Sequence, residues 1–371
     1  MEIHIRRNDR LMMTGATDGC GGSSIALNHM GANDVVGGDN ICLNNFDTDV
    51  FTMDLCQQRQ KQAPSTVAEV ERLVYGKRNN RKRIAMLLHV MAEIHQLALL
   101  SQHNNNSCTY RELYYKNIYL PCNMLQINRA VEDVGSLLGL TAWDMGVFAT
   151  GKGMVAGPLY IYMNNGDVID CHKTNTPTMI PPHFTYIDHF ETSALLVLVV
   201  EKDTIFKKLI ANNIFQIMQG KLLLLTARGN PDLSTRWLLS KLGRQHNHLQ
   251  FYMLADADPY GIEIMLTYRY GSQKFNQYAE QLSCSQLKWL GIHPSDICYN
   301  LQVPQEPLSC RDFKKIESIL KRLYVTEEIH WELIVLQHHG FKAKLDNMSS
   351  ECFALFIHDY IINKIKRQIV L

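Results

Sequence analysis

Up to about residue 64 the chain shows neither strand alternation nor a helical period, and it is rich in Gly, Asn and Asp, as in Gly19-Cys20-Gly21-Gly22-Ser23-Ser24. Such a stretch buries too little apolar surface to offset the entropy of ordering, so residues 1–64 are expected to be a disordered or variable tail. From Ser65 apolar positions recur at helical spacing. Ser65 can cap a helix carrying Val67, Val70, Leu73 and Val74 on one face. A second helix is expected over residues 83–102, with Ile84, Leu87, Leu88, Met91, Ile94, Leu97 and Leu100 inward. A third covers residues 109–120 and a fourth residues 124–140. Leu159-Tyr160-Ile161-Tyr162-Met163 and Val168-Ile169-Asp170 then flank Asn164-Asn165-Gly166-Asp167, the pattern of a β-hairpin. Helices followed by a hairpin are the order of a winged helix, which commonly lays one helix in a DNA groove. Residues 65–185 are therefore expected to form such a domain, by analogy of order.

Past Pro181-Pro182 the period changes. Apolar runs at 195–200, 222–225 and 251–254 alternate with helical patterns at 203–211, 232–242 and 260–270. Near-continuous apolar strands alternating with helices indicate a parallel sheet covered on both faces. The fold class is thus α/β, with a second domain over 190–371 that ends in helices at 312–323, 327–336 and 350–366.

Composition narrows the picture without changing it. At 371 residues, 46% hydrophobic and 20% charged, the chain can build packed cores and falls outside the fibrous and disordered classes. No apolar run approaches the ~20 residues that a bilayer requires, and no membrane association is expected. Ten cysteines without a Cys-x-x-Cys pair fit reduced thiols better than disulfides or zinc. The net charge of +1 announces no nucleic-acid partner. Its distribution does more. Residues 1–60 hold four Arg against eight Asp or Glu, whereas 61–120 hold nine Lys or Arg against four Glu. In the second stretch Lys77, Arg78, Arg81, Lys82 and Arg83 could meet phosphates, although a solvated helix start is the commoner meaning of such a cluster.

Candidate chemistry falls at strand ends. Glu201 follows Val197-Leu198-Val199-Val200, and Asp256 and Asp258 stand just past Phe251-Tyr252-Met253-Leu254. In open α/β sheets ligands gather outside the carboxyl ends of strands. Carboxylates brought together there repel one another unless a cation neutralises them, and hard oxygen ligands suit magnesium. For Asp258, just before Pro259, helix capping is an even alternative. Tyr114 and Tyr115 share a predicted helix with Arg111, which lies one turn before Tyr115. A phenol with a reference pKa of about 10 needs such a cationic neighbour or a base to act as a nucleophile. Taken alone, both tyrosines read more readily as core or interface residues.

Several segments together resemble a known family. Thr109-Tyr110-Arg111-Glu112-Leu113-Tyr114-Tyr115 is similar to the active-site segment of the topoisomerase VI A-type protein and its eukaryotic meiotic relatives. Val199-Val200-Glu201-Lys202-Asp203 and Asp256-Ala257-Asp258-Pro259-Tyr260-Gly261 resemble that family's Toprim domain in order and spacing. Gly229-Asn230-Pro231-Asp232 with Thr235-Arg236, and Lys152-Gly153-Met154-Val155-Ala156-Gly157, resemble two further elements. Trp289-Leu290-Gly291-Ile292-His293-Pro294-Ser295 points to the meiotic branch. The likeness runs over roughly residues 65–366. The chain departs from the pattern at Tyr119-Leu120-Pro121-Cys122, at Arg228 in place of Lys, and at Tyr260 in place of His.

The resemblance implies a winged-helix domain followed by a Toprim domain, in a type IIB topoisomerase-like DNA-cleaving transesterase of the nucleus that starts meiotic recombination. It maps the nucleophile onto Tyr115, assisted by Arg111, and magnesium onto Glu201, Asp256 and Asp258. Lys152, Arg111 and Arg236 become DNA contacts. It also implies double-stranded DNA as partner, a homodimer in which the tyrosine of one protomer faces the metal of the other, a topoisomerase VI B-like subunit, and other meiotic break-forming proteins. No Gly-x-x-x-x-Gly-Lys-Ser/Thr loop is present, consistent with nucleotide binding on the separate B-like partner. A non-catalytic DNA-binding or scaffold protein of the same fold is the alternative. A Toprim primase or nuclease would have no use for the Arg111–Tyr115 segment.

Overall fold

The computed structural model describes residues 69–104, 107–173, 176–299 and 303–371, together with three short strands nearer the start of the chain. The chain forms two compact units, Met1–Phe148 and Ala149–Leu371. The first begins with two antiparallel pairs, β1 (Ile3–Arg6) with β2 (Arg10–Met13) and β3 (Thr52–Gln57) with β4 (Glu69–Val74). Apart from these strands, the expected disordered tail lies outside the described residues. β4 replaces the helix expected after Ser65. The spacing of Val70, Leu73 and Val74 suits a helix, but six residues pair with β3 from Thr52↔Val74 to Gln57↔Glu69, and that partner is invisible to a local window.

Three helices follow: α1 (Arg78–Asn104), α2 (Tyr110–Lys116) and α3 (Met124–Leu138). The strand β5 (Cys108–Thr109) ahead of α2 pairs in parallel with β6 (Val147–Phe148). Ile84, Leu87, Val90, Ile94 and Leu97 of α1 pack with Leu113, Ile127, Val131 and Val134 in one core. Each such burial contributes roughly 1.5–3 kcal/mol. Leu88 and Leu100, expected inside, are 45% and 57% exposed, because Val90 takes the inward place on a true 3.6-residue period. Residues 80–100 would be long and apolar enough to cross a bilayer, yet the apolar face of this helix is the one packed into the unit's core.

Arg83 departs from the expectation of a phosphate-facing cluster. Its Nε and Nη2 donate to both oxygens of Asp133 on α3, at 2.8 and 2.9 Å, with the Asp133 side chain only 4% exposed. Lys77, Arg78, Arg81 and Lys82 remain at the surface.

The second unit opens with β7 (Met154–Ala156), β8 (Leu159–Met163), β9 (Val168–Asp170), β10 (Thr178–Met179) and β11 (Ile187–Thr192). The predicted hairpin is β8–β9, and β11 joins it in a three-stranded antiparallel sheet. This hairpin belongs to the second compact unit, upstream of Pro181-Pro182 but not with the helices of the first. The alternation then begins: β12 (Leu196–Val200), α4 (Asp203–Ala211), α5 (Ile214–Ile217), β13 (Leu222–Thr226), α6 (Leu233–Gln245), β14 (Gln250–Leu254), α7 (Pro259–Tyr270), α8 (Ala279–Leu282) and β15 (Lys288–Gly291). The main sheet runs β10-β7-β13-β12-β14-β15, parallel from β13 to β15, with β7 and β10 antiparallel on the flank. Every residue of β12 and β13 is buried, which is what their unbroken Leu/Val runs require.

After β15 come α9 (Pro294–Tyr299), β16 (Gln305–Pro307), α10 (Cys310–Leu320), α11 (Glu327–His339), β17 (Phe341–Ala343) and α12 (Ser350–Phe356). A π-helical turn at Ile357–Ile362 leads into α13 (Asn363–Arg367). Phe353, Phe356, Ile357 and Ile361 from this tail cover one face of the sheet against Leu198, Val200 and Tyr252.

The Arg83–Asp133 pair gives a test of the first unit. Removing one partner of a buried pair strands the other charge, so Asp133→Ala should cost about 3 kcal/mol, read as a lower Tm. The double change Arg83→Met with Asp133→Leu should recover most of it. Equal melting of Asp133→Ala and wild type would contradict this placement.

Candidate active site

α2 is short because strong local devices stop it at both ends. At its start Thr109 Oγ1 accepts from Glu112 N at 3.1 Å while Glu112 Oε2 accepts from Thr109 N at 2.7 Å. This reciprocal box consumes the Glu112 carboxylate. At its end Asn117, 1% exposed, donates to Leu113 O at 2.8 Å and bonds His89 Nε2 of α1 at 2.6 Å. The helix is therefore fixed to α1 just beyond Arg111 and Tyr115. With Leu113 and Tyr110 facing inward, burial pushes the Tyr110 hydroxyl well above its usual range. Tyr114 packs at the edge of the core. Tyr115 is 58% exposed, its ring 5.6 Å from that of Tyr114, and Arg111 is exposed on the same face. Among the described residues neither the Tyr115 hydroxyl nor the Arg111 guanidinium is tied up in a hydrogen bond or ion pair.

In the second unit the register places the carboxylates together. Val200 pairs with Leu254 across parallel strands, so Glu201 and Asp256 leave the same edge of the sheet side by side. Asp256 N donates to Glu201 Oε2 at 3.0 Å. Gly261, in the first turn of α7, lies over both. A Cβ there would sit 2.6 Å from Asp256 O and 3.0 Å from Glu201 Oε2, so only glycine lets the helix approach this closely. Asp258 is 8% exposed and caps α7, accepting from Tyr260 N at 2.9 Å and Gly261 N at 2.7 Å. The capping alternative is thus realised, while its charge still acts on the other two carboxylates.

The electrostatics show negative charge in excess. Burial, and next the charge of Asp256, push the Glu201 carboxyl up to about 8. Burial also raises Asp256, against the pull of the Lys202 ammonium. Lys202 Nζ lies 2.5 Å from Asp256 Oδ2 and 2.9 Å from Asp346 Oδ2. Asp256 Oδ1 accepts from Leu345 N at 2.9 Å. Among the described residues no three His, Cys, Asp or Glu side chains converge around one point at metal-ligand spacing. The reason is local: Asp256 is turned to Lys202 and Leu345, Asp258 to its helix, and Glu201 to Asp256 N. The donor chemistry nonetheless suits a hard divalent cation, because buried carboxylate oxygens that repel one another are relieved by positive charge.

The neighbouring elements build a frame. Asp232 caps α6 by accepting from Thr235 N, while its other oxygen accepts from Lys152 N at 2.7 Å and Gly153 N at 3.2 Å. This one carboxylate thereby joins the Lys-Gly and Asn-Pro-Asp segments. Gly153 approaches so closely that a Cβ would lie 1.9 Å from Thr235 Oγ1. Lys152 is half-buried, and its ammonium lies 3.4 Å from Arg228 O in an exposed contact. Arg228 itself is left-handed at φ 55, and the next amide, Gly229 N, donates to Glu201 O at 2.7 Å. A non-glycine residue held in that region marks a loop fixed by its surroundings, here the carbonyl of a candidate ligand.

Arg236 corrects an expectation. It is 3% exposed, donates to Leu282 O at 3.0 Å and Ser272 Oγ at 3.3 Å, and burial lowers it to about 10. Its Nε and Nη1 are bonded inside the unit and its Nη2 is buried without a partner among the described residues, so the guanidinium is not presented at the surface of this unit where a DNA contact was expected. His293 of the Trp289–Ser295 segment is likewise internal. It bonds Trp289 O at 3.0 Å and Lys364 Nζ at 2.9 Å, and burial followed by the Lys364 charge lowers it to about 4. Lys202, Gly261 and Asn117 stand inside or beside the motif segments, but their tasks depend on contacts that no local pattern announces. Asp346 carries no sequence signal at all, because it reaches the site only through the fold.

Known proteins share this organisation. Residues 196–365 match the Toprim domain of the topoisomerase 6 A-subunit/Spo11 proteins, and residues 82–147 match a type IIB DNA topoisomerase family. Meiotic recombination protein W68 of Drosophila melanogaster is 35% identical over 83% of this chain and 90% of its own length. Meiotic recombination protein SPO11 of Mus musculus is 33% identical over 77% of this chain and 72% of its own. The A-type DNA topoisomerase 6 protein of Arabidopsis thaliana is 30% identical over 77% of this chain and 66% of its own. Tyr115 falls within 82–147, and Glu201, Asp256 and Asp258 fall within 196–365, so that the chain belongs to the topoisomerase 6 A-subunit/Spo11 family.

Proposed function

We propose that this protein makes meiotic DNA double-strand breaks by tyrosine transesterification. The observation that carries the reading is the division of labour on α2. Tyr114 packs against the edge of the core while Tyr115 and Arg111 present a hydroxyl and a guanidinium to solvent from a helix anchored at both ends. Tyr115 Oη attacks a backbone phosphorus, the bond from phosphorus to the 3′ oxygen breaks, and the products are a 5′-phosphotyrosyl link and a free 3′-hydroxyl. The tyrosine gives up its proton as the new bond forms and the departing 3′ oxygen takes one up, so the exchange is neutral in protons, and Arg111 offsets charge on the phosphate. Glu201, Asp256 and Asp258 are the residues that would hold magnesium. When bound it supplies positive charge to the phosphate and the departing oxygen. Lys152 offers a further cation to the DNA backbone. Bond energy is conserved in the ester exchange, so cleavage itself uses no nucleotide. Double-stranded DNA, a second copy of the chain, a B-type partner protein and other break-forming proteins are the proposed partners, in the nucleus.

Tyr115→Phe should abolish break formation while leaving the Tm and DNA affinity within error of wild type, because only one exposed hydroxyl is lost. Tyr114→Phe should retain breaks. Scoring both variants for meiotic breaks in cells tests the assignment, and a dead Tyr114→Phe beside an active Tyr115→Phe would reverse it.

Calorimetric magnesium titration should show Glu201→Gln and Asp256→Asn binding at least about tenfold more weakly than wild type. Asp258→Ala should weaken binding and also cost about 1 kcal/mol of stability through loss of its cap. Identical affinities in all four proteins would remove the metal site.

The raised Glu201 carboxyl adds a pH dependence. Between its ordinary 4.5 and about 8 the folded state holds more protons than the unfolded state, so without divalent cation this group subtracts stability as pH rises. Magnesium affinity should rise over the same window, because cation and proton compete for the carboxylate. A Glu201→Gln protein should show both trends weakened, leaving only the part that the raised Asp256 carboxyl contributes. Flat melting and flat affinity in wild type from pH 5 to 8 would contradict the charge assignment.

A further inference from the structure

We infer that Lys202 is a resident counter-ion of the cation site, and that Asp346 is the carboxylate that takes up its ammonium when a divalent cation arrives. The inference rests on the reading of Glu201 and Asp256 as magnesium ligands. Lys202 directly follows Glu201 and occupies the N-cap position of α4 without a side-chain cap bond, so its side chain has no role in starting that helix. Its Nζ sits between two carboxylates, 2.5 Å from Asp256 Oδ2 and 2.9 Å from Asp346 Oδ2. The two differ in environment. The Asp256 side chain is 2% exposed and the Asp346 side chain 34%. Asp346 is already steadied, because its Oδ1 accepts from Thr204 Oγ1, which leaves Oδ2 for the ammonium.

A divalent cation on Asp256 and an ammonium at 2.5 Å from the same carboxylate repel each other strongly. A lysine ammonium is a compact charge on a flexible stem, so it can move to the second carboxylate without backbone rearrangement. The Leu345–Asn347 turn that carries Asp346 also donates Leu345 N to Asp256 Oδ1 at 2.9 Å, so acceptor and ligand are held in register. Lys202 is thus a positioning residue. It keeps a buried carboxylate ionised and ordered before the cation binds, and it sets how tightly the cation binds by competing with it.

Calorimetry with magnesium on the full chain separates this from a purely structural ion pair. Lys202→Met should bind magnesium on the order of ten- to a hundredfold more tightly, the scale of outer-shell effects on metal affinity. Asp346→Asn should bind about tenfold more weakly, because the ammonium then stays on Asp256. The double variant should match Lys202→Met, since Asp346 acts only through the ammonium. A purely structural lysine predicts the reverse for Lys202→Met: equal or weaker binding, whatever the change in Tm. That result overturns the inference, as does an Asp346→Asn defect that persists in the Lys202→Met background. Should Lys202→Met fail to fold, unchanged affinity in Asp346→Asn overturns it alone. If wild type binds magnesium and Glu201→Gln abolishes it while Lys202→Met has no effect, the metal reading stands and only this inference fails. If Glu201→Gln binds as wild type does, both fail.

Discussion

Two parallel strands that end side by side, each in a carboxylate, put negative charge where water cannot screen it. The pairing of Val200 with Leu254 makes that unavoidable, and the rest of the second unit is arranged around it. Burial raises both Glu201 and Asp256, and the nearby Lys202 offsets only part of the penalty. The available backbone donors are aimed at the same oxygens: Asp256 N at Glu201, Leu345 N at Asp256, and the α7 amides at Asp258. Gly261 is the steric counterpart of this electrostatic demand, because any larger residue would push α7 off the carboxylates. A site built this way is preorganised for a cation and costly without one.

The frame around the charge depends on a further carboxylate with a different task. Asp232 satisfies the start of α6 and the amides of Lys152 and Gly153 together, so the loop before β7 and the loop after β13 cannot move independently. Gly229 N then fixes the second loop to the carbonyl of Glu201. In the first unit Asn117 and His89 do equivalent work for α2. Both functional groups of the proposed reaction are held through polar contacts made by neighbours that take no part in the chemistry.

What the sequence made legible follows from the range of the forces involved. The α/β alternation is plain because β12, β13 and β14 are buried on both faces and read as unbroken apolar runs. Strand-end carboxylates are legible for the same reason, since the end of the run marks the edge of the sheet. Glu69–Val74 misleads because its partner strand, Thr52–Gln57, lies outside any local window, and pairing with it decides the outcome. Arg83 and Arg236 look like surface cations in any local window, yet each is neutralised or solvated by groups distant in the chain. The pairing of Lys202 with Asp346 is the extreme case, a contact created only when β17 and the turn after it close over the sheet edge. Composition could not foresee any of these, because each depends on the three-dimensional path.

The central claim is that Tyr115 becomes covalently joined to DNA with the help of the buried carboxylates. The most direct measurement isolates the protein from meiotic cells, digests attached DNA with nuclease, and maps the nucleotide remnant by mass spectrometry. The account predicts a remnant on Tyr115 in wild type, released by protease together with short DNA, and none in a Glu201→Gln protein expressed at the same level. A remnant on Tyr114, or one on Tyr115 that persists undiminished in Glu201→Gln, would contradict it.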